Sequence, residues 1–139
     1  MSPSLHALVG YAAWMLVLLL ILAFLRTGLT LTGKRAANQF KPSGDDVSPF
    51  SGRLARAHAN CYENLPVFAA LVVAAHLSGH GSVTDGLALV VLVARLAQSS
   101  IHLVSTSVPA VMLRFTAFAV QVGIEVWWAI QLIQLARPG

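Results

Sequence analysis

The sequence predicts an all-α integral membrane protein, a bundle of four transmembrane helices. Three observations carry that prediction. The 139 residues are 57% hydrophobic and only 10% charged, whereas about a quarter of the residues in a soluble domain are charged. Mean hydropathy is +0.74. The apolar residues fall into four long stretches separated by polar connections rich in Gly, Pro and Ser. At this length the chain, residues 1–139, reads as one domain.

The first element is the run Leu5–Leu25, nearly all apolar and ending at Arg26. About 20 such residues span a bilayer, and the helix is expected over about 5–31. The run is too long for a signal-peptide core, lacks a basic start, and no A-x-A site follows it. Arg26 to Gly52 reads as a loop around KPSGDDVSPFSG. The second helix is expected over about 53–78, kinked at Pro66. SGHGSVTDG makes a short turn, and Thr84 or Asp85 suits the N-cap of a third helix over about 84–104. VSTSVP is a tight connection. Pro109 suits the first turn of a fourth helix over about 108–136.

Loop charge orients the chain. The first loop carries Arg26, Lys34, Arg35 and Lys41, the second loop carries no Lys or Arg, and the tail has only Arg137. The positive-inside rule then makes the first loop cytoplasmic and both termini outward, in a membrane expected to be the inner (cell) membrane. Helix two starts on the cytoplasmic side, helix three ends there and helix four starts there.

Successive residues of a helix turn by about 100°. Arg53, Arg56, Asn60 and Glu63 therefore share one face of helix two, Arg95, Gln98, Ser99 and His102 one face of helix three, and Arg114, Gln121 and Glu125 one face of helix four. Most of these polar groups fall in the cytoplasmic half. An ionisable side chain inside a membrane span costs about 2.5–3.5 kcal/mol on insertion scales and marks a functional site by default. Arginines 53, 56, 95 and 114 outnumber Glu63 and Glu125, so the natural complement is a bound anion. Buried pairs such as Arg56–Glu63 or Arg95–Glu125 are the structural alternative.

Other residues point to less. His76 and His80 are four apart but lack a third ligand, so no metal site is expected. His58 and Cys61 read as packing residues, and one cysteine excludes an intrachain disulfide. Trp127 and Trp128 suit anchoring or packing of helix four. The pI near 10 is no nucleic-acid signal, because much of the basic charge lies within or beside apolar segments. No P-loop, nucleotide fingerprint or serine triad is present.

The stretch RLARAHANCYENLPVF (Arg53 to Phe68), with its pattern R-x-x-R-A-x-x-N-x-x-E-x-x-P-x-F, resembles the signature of the MAPEG superfamily, the membrane-associated proteins in eicosanoid and glutathione metabolism. ARLAQSSIHL and LRFTAF extend the likeness, which is to a bacterial-type member similar to the microsomal glutathione transferases. The resemblance implies a homotrimer that binds glutathione, as co-substrate, between neighbouring subunits near the cytosolic side. It implies a transferase or peroxidase in detoxification, conjugating glutathione to lipophilic electrophiles or reducing lipid hydroperoxides, with the second substrate arriving from the bilayer. It also assigns roles. Arg56, Asn60 and Glu63 match glutathione contacts, Arg53 a family arginine, and Arg35 a basic residue after helix one. Arg95, Gln98 and His102 match helix-three positions, and Arg114 matches the arginine that stabilises the glutathione thiolate. His102 stands where many members carry tyrosine, and Phe115 where some carry serine.

Such a role is physically reasonable for a guanidinium, which stays protonated. A nearby cation favours the thiolate over the thiol, and the thiolate is the nucleophile. Two alternatives stand beside the enzyme reading. A small transporter would need a coupling carboxylate deep in the bundle, for which Glu125 is the sole candidate. A non-catalytic binding or scaffold protein would keep the fold without the chemistry.

Overall fold

The computed structural model describes residues 1–137 and is all-helical over that range. The elements are α1 (Pro3–Leu31), α2 (Pro49–Leu77), the single turn α3 (Ser82–Asp85), α4 (Ala88–Val104) and α5 (Val108–Ala136). Serine begins each of the three longest helices. Ser2, Ser48 and Ser107 each accept the backbone N–H three residues on, and a proline follows in the first turn. The cap satisfies one of the donors a helix start leaves without a partner, and proline has no N–H to lose there.

The fourth expected helix matches its observed bounds, and the first differs only by starting at Pro3. The second begins four residues early, because Ser48 caps it and Pro49 opens it. It runs through Pro66 as one helix. The third is shorter than expected, starting at Ala88 behind the separate turn α3. Neither Thr84 nor Asp85 caps it; its N-cap is Leu87, without a side-chain bond. Both polar residues are engaged by α1 instead. The Ser4 hydroxyl donates to Asp85 Oδ1 at 2.5 Å and meets Thr84 Oγ1 at 2.6 Å, and the Ser4 N–H donates to the same carboxylate at 3.1 Å.

α2 and α4 are the central pair, with α1 and α5 packed on them but not on each other. Tyr11 of α1 stacks on Phe68 of α2 with ring centroids 5.5 Å apart, and Phe68 meets Trp128 of α5 at 6.1 Å. All three rings are buried. Trp127 is exposed, so the two tryptophans divide the roles of packing and outward contact. α1 and α5 are long and apolar enough to cross a membrane, and only 17% and 11% of their most apolar windows are buried. A core helix of a soluble protein would hide that surface.

The ends of the bundle differ. At one end lie the start of α1, the end of α2 and α3. His76 Nδ1 donates to the Val72 carbonyl at 2.9 Å, while its Nε2 lies 2.8 Å from Ser2 Oγ and 3.6 Å from Asp85 Oδ1. His76 is thus a clamp between helix ends, and the His80 ring bonds to the Ser78 hydroxyl. At the other end the long loop folds back onto the start of α2. Gly44 makes that return possible. Its φ is +72°, and a Cβ there would lie 2.7 Å from the Ser51 carbonyl oxygen, so only glycine fits.

Candidate functional site

The second end carries the basic residues singled out in the sequence. Arg53, one turn into α2, donates from Nε to the Leu103 carbonyl at 2.9 Å. That carbonyl is among the last of α4, which have no partner within their own helix. Arg53 thereby ties α2 to the end of α4. Two turns along α2, Asn60 Nδ2 lies 3.4 Å from His102 Nδ1. His102 is buried, and Arg114, Arg56 and Arg53 lie close enough to act on its ring electrostatically. Residues of α2 and α5 separated by up to 61 positions, Arg53 to Arg114, thus lie within electrostatic reach of one ring of α4.

Within this group the guanidinium groups are not neutralised. Among the described residues the ion pairs are Arg35–Asp46 and His76–Asp85, so Arg53, Arg56 and Arg114 pair with no carboxylate. Arg114 is half-buried, and its Nε is sealed from solvent without a hydrogen-bond partner. Arg56 is exposed. It lines a polar hollow of about 210 Å³ with Asp45, Pro49, Gly52, Arg53 and Thr106. Asp45 stands beside it on the loop. The Ser43 hydroxyl, 2.6 Å away, holds the Asp45 carboxyl below its usual range, and Lys41 and Arg56 add smaller attractions. Glu63 shares the face of Arg56, is exposed, and makes neither a hydrogen bond nor an ion pair with the described residues.

The remaining predicted residues are placed differently. Arg35 is in the loop, with Nη1 2.5 Å from Asp46 Oδ2 and Nη2 donating to the Asp46 carbonyl. The predicted polar face of α4 is its buried face. Gln98 accepts from Gln121 of α5 at 2.8 Å. Ser99 Oγ lies 3.3 Å from Cys61 Sγ. Arg95 sits two turns deeper than His102, 1% exposed, with its guanidinium carbon 5.8 Å from the Tyr11 ring centre. Glu125 is near enough to feel its charge but forms no ion pair with it. Neither of the pairs that stood as the structural alternative, Arg56–Glu63 or Arg95–Glu125, is formed.

Tyr11 is a member of this polar layer that the sequence did not disclose. Its hydroxyl donates to the Cys61 carbonyl at 2.7 Å beneath Arg95. The one signal was a phenol inside an otherwise apolar span, since a buried Tyr O–H takes a partner.

The arrangement suits an anion. Arg56 and Arg114 offer N–H donors that no acceptor among the described residues uses, Asn60 and His102 add polar groups, and Glu63 on the same face as Arg56 offers an acceptor for a cationic group. No curated protein and no solved structure matches the chain. The family model described as the MAPEG family matches residues 4–134, nearly the whole length. With two apolar helices whose surfaces remain largely uncovered, the chain belongs to the MAPEG family and is a membrane protein.

Proposed function

We propose that the protein is a glutathione-dependent transferase or peroxidase of the membrane, acting on lipophilic substrates through a stabilised glutathione thiolate. The observation that supports this most is the set of three guanidinium groups, Arg53, Arg56 and Arg114, within electrostatic reach of His102, with no carboxylate among the described residues paired to any of them. Ionisable groups within or at the end of a membrane span mark a functional site by default, and guanidinium groups from two helices beside one buried ring offer donors to an anion. Glutathione carries two carboxylates, an ammonium group and a thiol. Arg56 takes a carboxylate by charge-assisted hydrogen bonds, Asn60 and His102 hold the peptide groups, and Glu63 takes the ammonium. Arg53, Arg95 and Gln98 complete the set from behind, and Arg35 contributes from the loop.

Arg114 is assigned the thiol. Its buried Nε without a partner supports a role toward a ligand atom rather than toward the fold. A thiolate beside it is stabilised by Coulomb attraction, which grows as water is excluded. The exposed positions of Arg56 and Glu63 on a single subunit leave one side of the site open. A homotrimer with glutathione between subunits would close it, in a four-span bundle whose first loop is cytoplasmic.

Calorimetry on the purified protein in detergent tests the reading. Glutathione is expected to bind, and its S-methyl derivative, which keeps every carboxylate and amine, is expected to bind without forming a thiolate absorbance band. Binding without turnover of any electrophile or hydroperoxide would leave a non-catalytic binding protein. Absence of binding would overturn the proposal.

A further inference from the structure

A second basic feature lies away from the His102 group, where α1 leaves its apolar run. Arg26 is the first charged residue after Leu5–Leu25, and it borders an open groove of about 390 Å³ lined by Arg26, Thr27, Thr30, Leu31, Ala37 and Phe40. The ring of Phe40 has a guanidinium on each of two arginines near it, with Arg26 and Arg35 both 5.7 Å from its centre. The two differ in what else they hold. Arg35 is satisfied by Asp46. Arg26 has one hydrogen bond among the described residues, from Nη2 to the Lys41 carbonyl, and its Nε is sealed from solvent without a partner. Lys34 and Lys41 are exposed in the same loop and form no ion pair. Arg26 is thus the charged group of the groove's lining, with no carboxylate paired to it among the described residues, and the two lysines stand near it on the loop.

The surface leading to it is apolar. Leu20, Phe24, Thr27 and Leu31 recur at three- and four-residue steps along α1, and all are exposed, Phe24 by 73% and Leu31 by 81%. A stripe made for hydrocarbon thus runs along the helix into a cationic groove that carries two threonine hydroxyls. That order, apolar surface and then donors and positive charge, is the order of an acyl chain and its phosphate at a bilayer surface. Basic groups just outside a span attract anionic lipids in this way.

We propose that the groove at the end of α1 binds the phosphate of an anionic phospholipid. Arg26 is the principal ligand, the hydroxyls of Thr27 and Thr30 donate to phosphate oxygens, and Lys41 adds charge from the loop. The acyl chain lies along Leu20, Phe24 and Leu31. The site gives the loop a lipid-dependent anchor on the side where the positive-inside rule places it.

Native mass spectrometry of the full chain in neutral detergent tests the assignment. The protein is mixed with equal amounts of phosphatidylglycerol and phosphatidylcholine of the same acyl chains, and the retained lipid is counted. Wild type is expected to retain phosphatidylglycerol in preference by about fivefold or more, the effect of a single basic side chain at an anionic headgroup. The Arg26→Gln/Lys41→Gln variant is expected to lose that preference, and Arg137→Gln, at the far end of the chain, is expected to keep it. Lys41→Gln alone, an exposed change with no side-chain hydrogen bond to lose, is expected to reduce the preference and covers the case in which the double variant fails to fold. Equal retention of both lipids by wild type would overturn the proposal, as would full preference in the variants. Displacement of the lipid by excess inorganic phosphate would assign the groove to a soluble anion and also overturn it.

Discussion

Arg53 and Arg56 are one turn apart on α2, and the structure separates their roles cleanly enough to predict opposite phenotypes. Arg53 spends its Nε–H on the Leu103 carbonyl, one of the acceptors that the end of α4 leaves open. Arg56 is exposed and pairs with no carboxylate among the described residues. Truncating Arg53 removes a charged hydrogen bond between helices, worth about 1.5–3 kcal/mol. Truncating Arg56 removes no comparable contact within the chain, so stability should change by less than about 0.5 kcal/mol, as for ordinary surface substitutions. If Arg56 takes a glutathione carboxylate, that same 1.5–3 kcal/mol appears in the ligand instead. At 1.4 kcal/mol per factor of ten, Kd rises about 10- to 150-fold. The assay is paired: calorimetric Kd for glutathione, and thermal unfolding in the same detergent. Arg56→Ala should weaken binding and leave Tm near wild type, while Arg53→Ala should lower Tm. An Arg56→Ala protein that binds glutathione within twofold of wild type would refute the reasoning, because the exposed charge would then have no ligand to hold.

Four further outcomes are expected. Arg114→Ala should raise the pKa of bound glutathione, seen as an upward shift of the thiolate absorbance titration, and cut turnover at neutral pH by about tenfold per pKa unit. The loss should be blunted somewhat because the more basic thiolate is the better nucleophile; an unchanged titration and turnover would remove Arg114 from the chemistry. At the opposite end, the Ser4 hydroxyl holds the Asp85 carboxyl below its usual range, with smaller help from the Ser4 N–H and His76. A depressed carboxylate stabilises the fold fully above its unfolded pKa of about 3.9 and loses that contribution as pH falls through the lower folded value. Acid unfolding should therefore be shallower in Asp85→Asn than in wild type below about pH 4, and parallel acid limbs would show that the contact contributes nothing. For topology, Ser43→Cys and Ser82→Cys, each on a Cys61→Ser background, should be labelled by impermeant reagents from opposite sides, the first from the cytoplasm; labelling of both from one side would break the four-span layout. Native mass spectrometry should show a homotrimer that survives in more than one detergent, and a monomer throughout would count against sites shared between subunits.

Much of the fold was legible because a bilayer simplifies the code. A span must be about 20 apolar residues and must satisfy its backbone internally, so runs such as Leu5–Leu25 announce helices without reference to any other part of the chain. Pro109 did the same for the start of α5. The spacing of Arg53, Arg56, Asn60 and Glu63 likewise placed them on one face, since helical geometry is local. What the local pattern could not say was which polar group each one meets. Asp85 looked like a helix cap, but Ser4, 81 residues earlier, takes it, and α4 starts later as a result. Arg95 and Glu125 looked like a buried pair, but Arg95 lies over Tyr11, because the register of α1 against α2 and α4 puts a phenol there. Gln98 accepts from Gln121, 23 residues on in α5. Sequence by itself determined the helices, their faces and the excess of positive charge. Only the tertiary structure decided which arginines are used by the protein and which remain for something else, because a hydrogen bond is made or missed over about an ångström and that distance is set by packing between helices far apart in the chain.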